Sequence, residues 1–391
     1  MAIKRSESTN EEYPPRLYAP EKSDFLKRSI SHHNHLSDLA ELQDVIGTNC
    51  FNDIMNNSQV GVMLKLTLGK YNWCAKVVHY FITHQLFGDR PYKFWSLIVG
   101  RPVRFSLYEF EAITGLNYDL IDPDDSFEGI HTELWRQLNV QPDQGPSWEG
   151  GGKIHDVLEI CRQWDYATRR KVGLLYVLIV GIFGLHRNSR LPLKYAKRVI
   201  NAKAFERVPW GWLSYKALIL SIKSLSLEGS SISVHGCVHA MQIWAYLAVS
   251  ILGEEIGRRD ESMVGVVHLL RWKGGRTRST IETILQKDKA KNNKVRVSHL
   301  LVEKPLDQIY PNFSEEKEVF DQKLHNMLRD ILERILDETR WGQSTEKGEH
   351  RPKKKSTNKK STEKNGTEKK STEKREHKRK KKVQRRHPLR N

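Results

Sequence analysis

Residues 94–116 read FWSLIVGRPVRFSLYEFEAITGL, and this stretch decides the fold. Phe94 to Val99 is an apolar, β-prone run. Gly100-Arg101 is a Gly-X pair of the kind that closes a two-residue hairpin, and Pro102 to Phe105 reads as the return strand. Ser106 then opens a short helix. It is a good N-cap, Glu109 three residues on completes a capping box, and Phe105 and Phe110 occupy the two staple positions. Gly115 stands where a left-handed C′ residue ends a helix, and Leu116 can fold back onto Phe110 as the apolar contact of a Schellman ending. Ser106 and Glu109 have no histidine within the motif, and capping accounts for both. The stretch specifies a fold, not a reaction.

The pattern RFSLYEFEAITGL resembles the signature of a plant-specific domain of unknown function, the one numbered nineteen eighty-five. Shorter pieces resemble the same family in the same order. They are Pro15-Arg16-Leu17-Tyr18, Asn49-Cys50-Phe51, Pro209-Trp210-Gly211, and His235-Gly236 leading into Ala240-Met241-Gln242-Ile243-Trp244-Ala245-Tyr246. The resemblance covers roughly residues 14–275. It implies a transposon-associated plant setting, often ahead of a SUMO-type (ubiquitin-like) protease domain, and no established activity. The hairpin with its short capped helix ending in Gly-Leu is more distantly similar to the plant mobile domain of transposons.

Charge is unevenly spread. The 391 residues carry a net +18, of which residues 351–391, with 19 Lys or Arg and 4 Glu, hold +15. Residues 1–350 therefore carry only +3, and net charge gives no support for a folded domain that is basic as a whole. Cys50, Cys74, Cys161 and Cys237 form no CxxC pair, which suggests reduced thiols in a cytosolic or nuclear protein. The start, Met1-Ala2-Ile3-Lys4-Arg5-Ser6, lacks the apolar region of a secretory signal. The most apolar run, Val172 to Leu185, has fourteen residues, short of the roughly twenty that span a bilayer, and reads as a buried helix. No membrane association is expected.

Taken in order, residues 1–22 are polar, punctuated by Pro14, Pro15 and Pro20, and read as an extended or disordered lead-in. Residues 24–57 show helical spacing, with His32, His33 and His35 as its solvated lead-in. Gln59 to Leu68 suits a strand or a short buried helix, and Tyr71 to Phe87 a helix ended by Gly88-Asp89-Arg90-Pro91. Residues 119–152 read as loop, including the acidic turn Asp122-Pro123-Asp124-Asp125 and the run Gly150-Gly151-Gly152. That run lacks the Gly-Lys-Ser/Thr ending of a phosphate loop. Helices are expected from Lys153 to Cys161, Thr168 to Leu185, Lys194 to Phe205, Trp212 to Leu227 and Cys237 to Leu252. Trp210 and Trp212 read as the anchors of a helix corner, with base stacking as the alternative. Residues 265–275 have strand character, Lys287 to Lys294 reads as an exposed loop, and Glu315 to Arg340 as a long amphipathic helix. That helix can dock on the domain or self-associate. From Gly342 onward the chain is low-complexity, with Lys-Lys-Ser-Thr recurring, and is expected to be disordered.

Three constellations bear on chemistry. A SUMO-type protease needs His, Asp, Gln and then Cys in one domain, yet no cysteine follows Cys237, so the resemblance extends only to a remnant or accessory part. His235-Gly236-Cys237-Val238-His239 falls short of a zinc set without a further ligand and reads as a helix start with a buried cysteine. The strongest signal is the cluster Lys374, Arg375, Lys378, Arg379, Lys380, Lys381, Lys382, Arg385 and Arg386, of the kind that directs nuclear import or neutralises DNA or RNA phosphates. The expected architecture is mainly α with a small β-hairpin. Its parts are a lead-in (1–22), the resemblance domain (23–275), a charged linker with the amphipathic helix (276–341) and a basic tail (342–391). The expected function is a non-enzymatic nuclear module without cofactor or metal, with unnamed protein partners. The alternatives are the protease remnant and a structural protein that self-associates through 315–340.

Overall fold

The computed structural model describes residues 12–18, 29–69, 71–88, 92–119, 127–147, 159–225, 231–298 and 321–341. The chain divides into two units, Met1–Gly348 and Glu349–Asn391, and every described residue lies in the first. Strand β1 (Ser29–His32) leads into helices α1 (Leu36–Ile46), α2 (Thr48–Asn57), α3 (Gly61–Leu68) and α4 (Ala75–Thr83). The hairpin of β2 (Phe94–Ile98) and β3 (Arg101–Phe105) follows, then α5 (Leu107–Thr114) and α6 (Thr132–Gln137). Next come α7 (Tyr166–Tyr176), which runs on as a π-helical turn (Val177–Ile182), α8 (Leu193–Ala196), a 3-10 turn (Lys197–Ile200) and α9 (Ala202–Glu206). The chain closes with α10 (Trp210–Lys223), β4 (Ser231–Val234), α11 (Val238–Ala248), α12 (Ile281–Asn292) and α13 (Gln322–Leu332). The fold is mainly helical with small sheet elements, as the sequence indicates.

The hairpin pairs Phe94 with Phe105 through Ile98 with Arg101, so its loop is Val99-Gly100, one residue earlier than the Gly100-Arg101 expected. Both loop residues have positive φ, 49° and 80°, which is the conformation a two-residue loop needs to match the strand twist. Gly100 suits it, and a Cβ there would also meet the Glu338 carbonyl oxygen at 2.6 Å. Val99 does not suit it: a β-branched residue in the left-handed region carries strain, and its side chain is exposed. Val99→Asn is expected to raise stability by about 1 kcal/mol in urea unfolding, with an unchanged or lower midpoint as the contrary result.

The hairpin is held between α10 and α11. Tyr215 donates its hydroxyl to the carbonyls of Tyr92 (2.7 Å) and Phe105 (3.0 Å), and Trp244 Nε1 donates to the Arg104 carbonyl (2.8 Å). The Phe105 ring lies 5.1 Å from Trp244 and 5.8 Å from Tyr215, and Phe110 lies 5.5 Å from Tyr215. Large aromatic area is buried and the polar handles of Tyr215 and Trp244 are satisfied, which is the condition for placing Tyr and Trp in a core. Trp210 is fully buried and Trp212 nearly so, which places both in the core.

Several elements differ from the expectation, each for a physical reason. Ser29–His32 is not helical but pairs in parallel with Ser231–Val234, a partner two hundred residues away that leaves no local trace. Helix α4 stops at Thr83, before Gly88, because His84 to Leu86 turn onto the hairpin: Leu86 N donates to the Trp95 carbonyl and Leu97 N to that of His84. The stretch 119–147 contains α6, anchored by buried Leu134 and Trp135. Residues 265–275 hold a 3-10 turn at His268–Leu270 and isolated bridges at Trp272 and Gly274 rather than a strand. Lys287 to Asn292 is the end of α12, not an exposed loop. Thr280 caps that helix, Ile281, Ile284 and Leu285 are buried, and buried Asp288 accepts from the Arg296 amide (2.8 Å) and guanidinium (2.7 Å). The acidic turn 122–125, the glycines 150–152 and residues 153–158 lie outside the described residues.

The lead-in and the last helix meet on the outer face of the hairpin. Tyr13, Leu86, Trp95 and Leu97 form a second apolar cluster with Leu324, Met327 and Leu328 of α13. Tyr13 donates its hydroxyl to Asp330 (2.5 Å) and Trp341 Nε1 donates to the Pro14 carbonyl (2.9 Å). Residues 12–18 are therefore an extended segment packed on the hairpin, and the rest of the 1–22 lead-in lies outside the described residues. The amphipathic stripe of α13 docks on its own domain, while Leu332 at its end and Ile335 beyond it are exposed; the helix stops at Leu332 rather than at the Arg340 expected. Leu328→Asp would place a carboxylate in this cluster and is expected to strip hydrogen-exchange protection from 321–341 at unchanged mass. Retained protection would contradict the docking.

Candidate functional site

Phe105, Ser106, Glu109, Phe110, Gly115 and Leu116 come together as one capped helix behind the hairpin. Ser106 Oγ accepts from the Tyr108 amide at 3.3 Å, and Glu109 Oε2 accepts from the Ser106 amide (2.6 Å) and hydroxyl (2.5 Å). Phe105 and Phe110 lie edge to face at 6.3 Å. Gly115 has φ 65°, donates to the Glu111 carbonyl at 2.7 Å, and faces Val267 where a Cβ would come within 2.7 Å. Leu116 is buried. One partner was not foreseen from sequence. Arg104 Nη2 donates to Glu109 Oε1 at 2.7 Å and Nε at 3.2 Å, with both side chains 2% exposed. The Glu109 carboxylate thus accepts four hydrogen bonds and leaves no open lone pair aimed at solvent. It is structural.

The most concentrated set of titratable groups is a histidine junction where β1, β4 and the start of α11 meet. His32 packs on His35 (5.0 Å), His239 (5.3 Å) and Trp73 (4.7 Å), and His33 packs on His186 (4.9 Å) and His235 (5.7 Å). Asn34 sits between them, donating Nδ2 to the carbonyls of Val180 (2.5 Å) and Gly181 (2.7 Å) in the π-helical turn. Its own carbonyl is hydrogen-bonded to His239 Nε2 at 2.9 Å. Burial is the main cause that pushes His32 down to about 3 and His33 and His239 to about 4, with neighbouring imidazoles adding to it for each. These rings are neutral at physiological pH. His32 and His33 are not the solvated lead-in expected, because the strand pairing draws them inward, whereas His35 is exposed.

His235, Cys237 and His239 do not converge. His235 Nδ1 is hydrogen-bonded to the Gly184 carbonyl (2.9 Å), His239 turns to Asn34, and Cys237 Sγ faces Met63 Sδ at 3.9 Å. Among the described residues no group of three or more His, Cys, Asp or Glu could hold a metal ion. All four cysteines are buried and free of disulfides. Burial pushes the Cys237 thiol up to about 12 and those of Cys50 and Cys161 to about 11, away from the thiolate that nucleophilic catalysis needs. Lys374 to Arg386 lie outside the described residues. No helix among the described residues is long and apolar enough to cross a membrane.

Compared with known proteins, residues 82–221 match the family model of a Domain of unknown function (DUF1985). That segment runs from the end of α4 through the hairpin, α5 and the π-helical turn into α10, and is narrower than the 14–275 expected from the scattered motifs. The family description carries no assigned activity. No curated protein and no solved structure matches the chain.

Proposed function

We propose that the protein is a non-enzymatic nuclear interaction module of the transposon-associated plant type, with a helical domain that engages protein partners and a basic tail that contacts nucleic acid without sequence preference. The observation that carries this reading is the segregation of charge, with +15 of the net +18 in residues 351–391. A polycation of this density binds phosphates by counterion release and reads no bases. Lys374, Arg375, Lys378 to Lys382, Arg385 and Arg386 also have the composition of an import signal. In the domain, the four-bonded Glu109 carboxylate and the buried thiols favour a structural role over catalysis. Removal of 351–391 is expected to lower retention on DNA at low salt sharply. Retention equal to that of the full chain would overturn the tail assignment.

A further inference from the structure

We propose that residues 186–207 form a second nucleic-acid contact, on the folded domain itself, that binds the phosphate backbone. The inference goes beyond the tail reading and does not depend on it. This hook runs from the loop after the π-helical turn through α8, the 3-10 turn and α9. It contains seven Lys or Arg and a single carboxylate, Glu206, for a net +6, whereas residues 1–350 as a whole carry +3. The rest of that stretch nets −3, and the hook is one of its two dense runs of positive charge, the other being residues 271–296 with nine Lys or Arg against two carboxylates.

The fold turns these cations outward. Leu191, Ala196, Val199, Ala204 and Phe205 are buried and anchor the inner side. Arg187, Arg190, Lys194, Lys203 and Arg207 are exposed and Lys197 is half-exposed. The one carboxylate points the other way: Glu206 Oε2 accepts from the Gln59 amide at 2.9 Å, inside the domain. Lys197 meets Glu128 only at 4.0 Å, and that carboxylate is 91% exposed, so the pair is weak and screened. Arg198 is the exception, buried with its guanidinium over the Phe127 ring at 5.0 Å.

The chemistry selects a polyanion over a protein surface. A protein interface needs an apolar core with aromatic anchors. No large apolar side chain of the hook is among the exposed ones, which include Leu68, Tyr118, Ile130 and Val264 elsewhere. Tyr195 is half-buried, stacked on Phe183 with Lys194 Nζ 4.8 Å from its ring. The outward residues are the cations together with His186, Asn188, Pro192, Asn201 and Ala202, with no large apolar group exposed among them, and such a surface fits a regularly charged backbone.

The test uses the full chain in four forms: parent, a hook variant (R187Q, K194Q, K203Q, R207Q), a tail variant with the nine cations of 374–386 changed to Gln, and both together. Binding of a short random-sequence DNA duplex is followed between about 50 and 200 mM KCl. The hook variant is expected to lower the slope of log affinity against log salt by about 3, at an unchanged melting temperature. In the tail-variant background it is expected to lower the residual binding further, with the same drop in slope. Equal affinity and slope with and without the hook cations, in both backgrounds, would overturn the proposal. So would tighter binding of the tail variant to poly-glutamate than to the duplex, which would make the surface an acidic-protein site. A tail variant that binds like the parent defeats the tail reading alone.

Discussion

Glu109→Gln is expected to lower the stability of the chain by about 3–5 kcal/mol, the largest effect of any conservative substitution in the central motif. The reason is the partner left behind. Arg104 and Glu109 are each 2% exposed, so the guanidinium has no water to replace the lost carboxylate. Its Nη1 already lacks a hydrogen-bond partner within the protein, and removing the negative charge isolates a buried cation. The capping bonds from Ser106 can survive in part, because a Gln oxygen still accepts, so the loss reports mainly the ion pair. Arg104→Met combined with Glu109→Gln is expected to recover part of the stability, since no orphan charge remains. Urea unfolding of the three variants tests this. A loss below about 1 kcal/mol for Glu109→Gln would mean that water reaches the pair.

The second large effect is acid sensitivity above the range in which carboxylates titrate. His32 and His239 have pKa values depressed in the fold to about 3 and about 4, from an ordinary 6.5. A depressed histidine contributes full stability above pH 6.5. As pH falls, the unfolded chain takes up protons that the folded chain refuses, and stability is lost until the folded pKa is reached. At pH 5 each of these two rings costs about 2 kcal/mol, or about 4 kcal/mol together. His32 faces His33, His35, His239 and Trp73, and His239 faces His32, His35, Tyr71, Trp73 and the Asn34 carbonyl, so among the described residues no carboxylate acts on either ring to offset the protonation. Thermal melts from pH 7 to pH 5 are expected to show a steep fall that His32→Asn with His239→Gln makes shallower, the remainder coming from His33 and His84, which burial also lowers to about 4. A flat profile in the parent would contradict the buried, neutral assignment.

What could be read from the residues alone follows a simple divide. The motif at 94–116 was legible because each of its signals is local: the Gly in the loop, the Ser and Glu three apart, the Phe pair and the closing Gly. Even there the loop register slipped by one, because Val99 is an unlikely residue for φ 49° and nothing nearby says that the hairpin accepts it. Long-range pairings were not legible. Strand β1 exists only because Ser231–Val234 lies beside it, and without that partner the His32 to His35 run looks like a polar lead-in. The same holds for Arg104, whose partner is five residues away but across a strand-to-helix corner. Lys287 to Lys294 misled through its charges, because the buried stripe at Ile281, Ile284, Leu285 and Asp288 begins upstream of them. Charge segregation was legible throughout, since it needs only counting. The hook at 186–207 required the structure, which shows Glu206 turned inward and the cations turned out.

We propose a division of labour in which the basic tail carries nuclear import and the main nucleic-acid contact, while the domain in front engages protein partners and adds the lesser phosphate contact at 186–207. Its most direct test is the nuclear-to-cytoplasmic ratio of a fluorescent fusion of the full chain, beside one with Lys374, Arg375, Lys378, Arg379, Lys380, Lys381, Lys382, Arg385 and Arg386 changed to Gln. Strong nuclear accumulation of the first and its loss in the second are expected, with the same melting temperature for both. Equal nuclear accumulation of the two would contradict it.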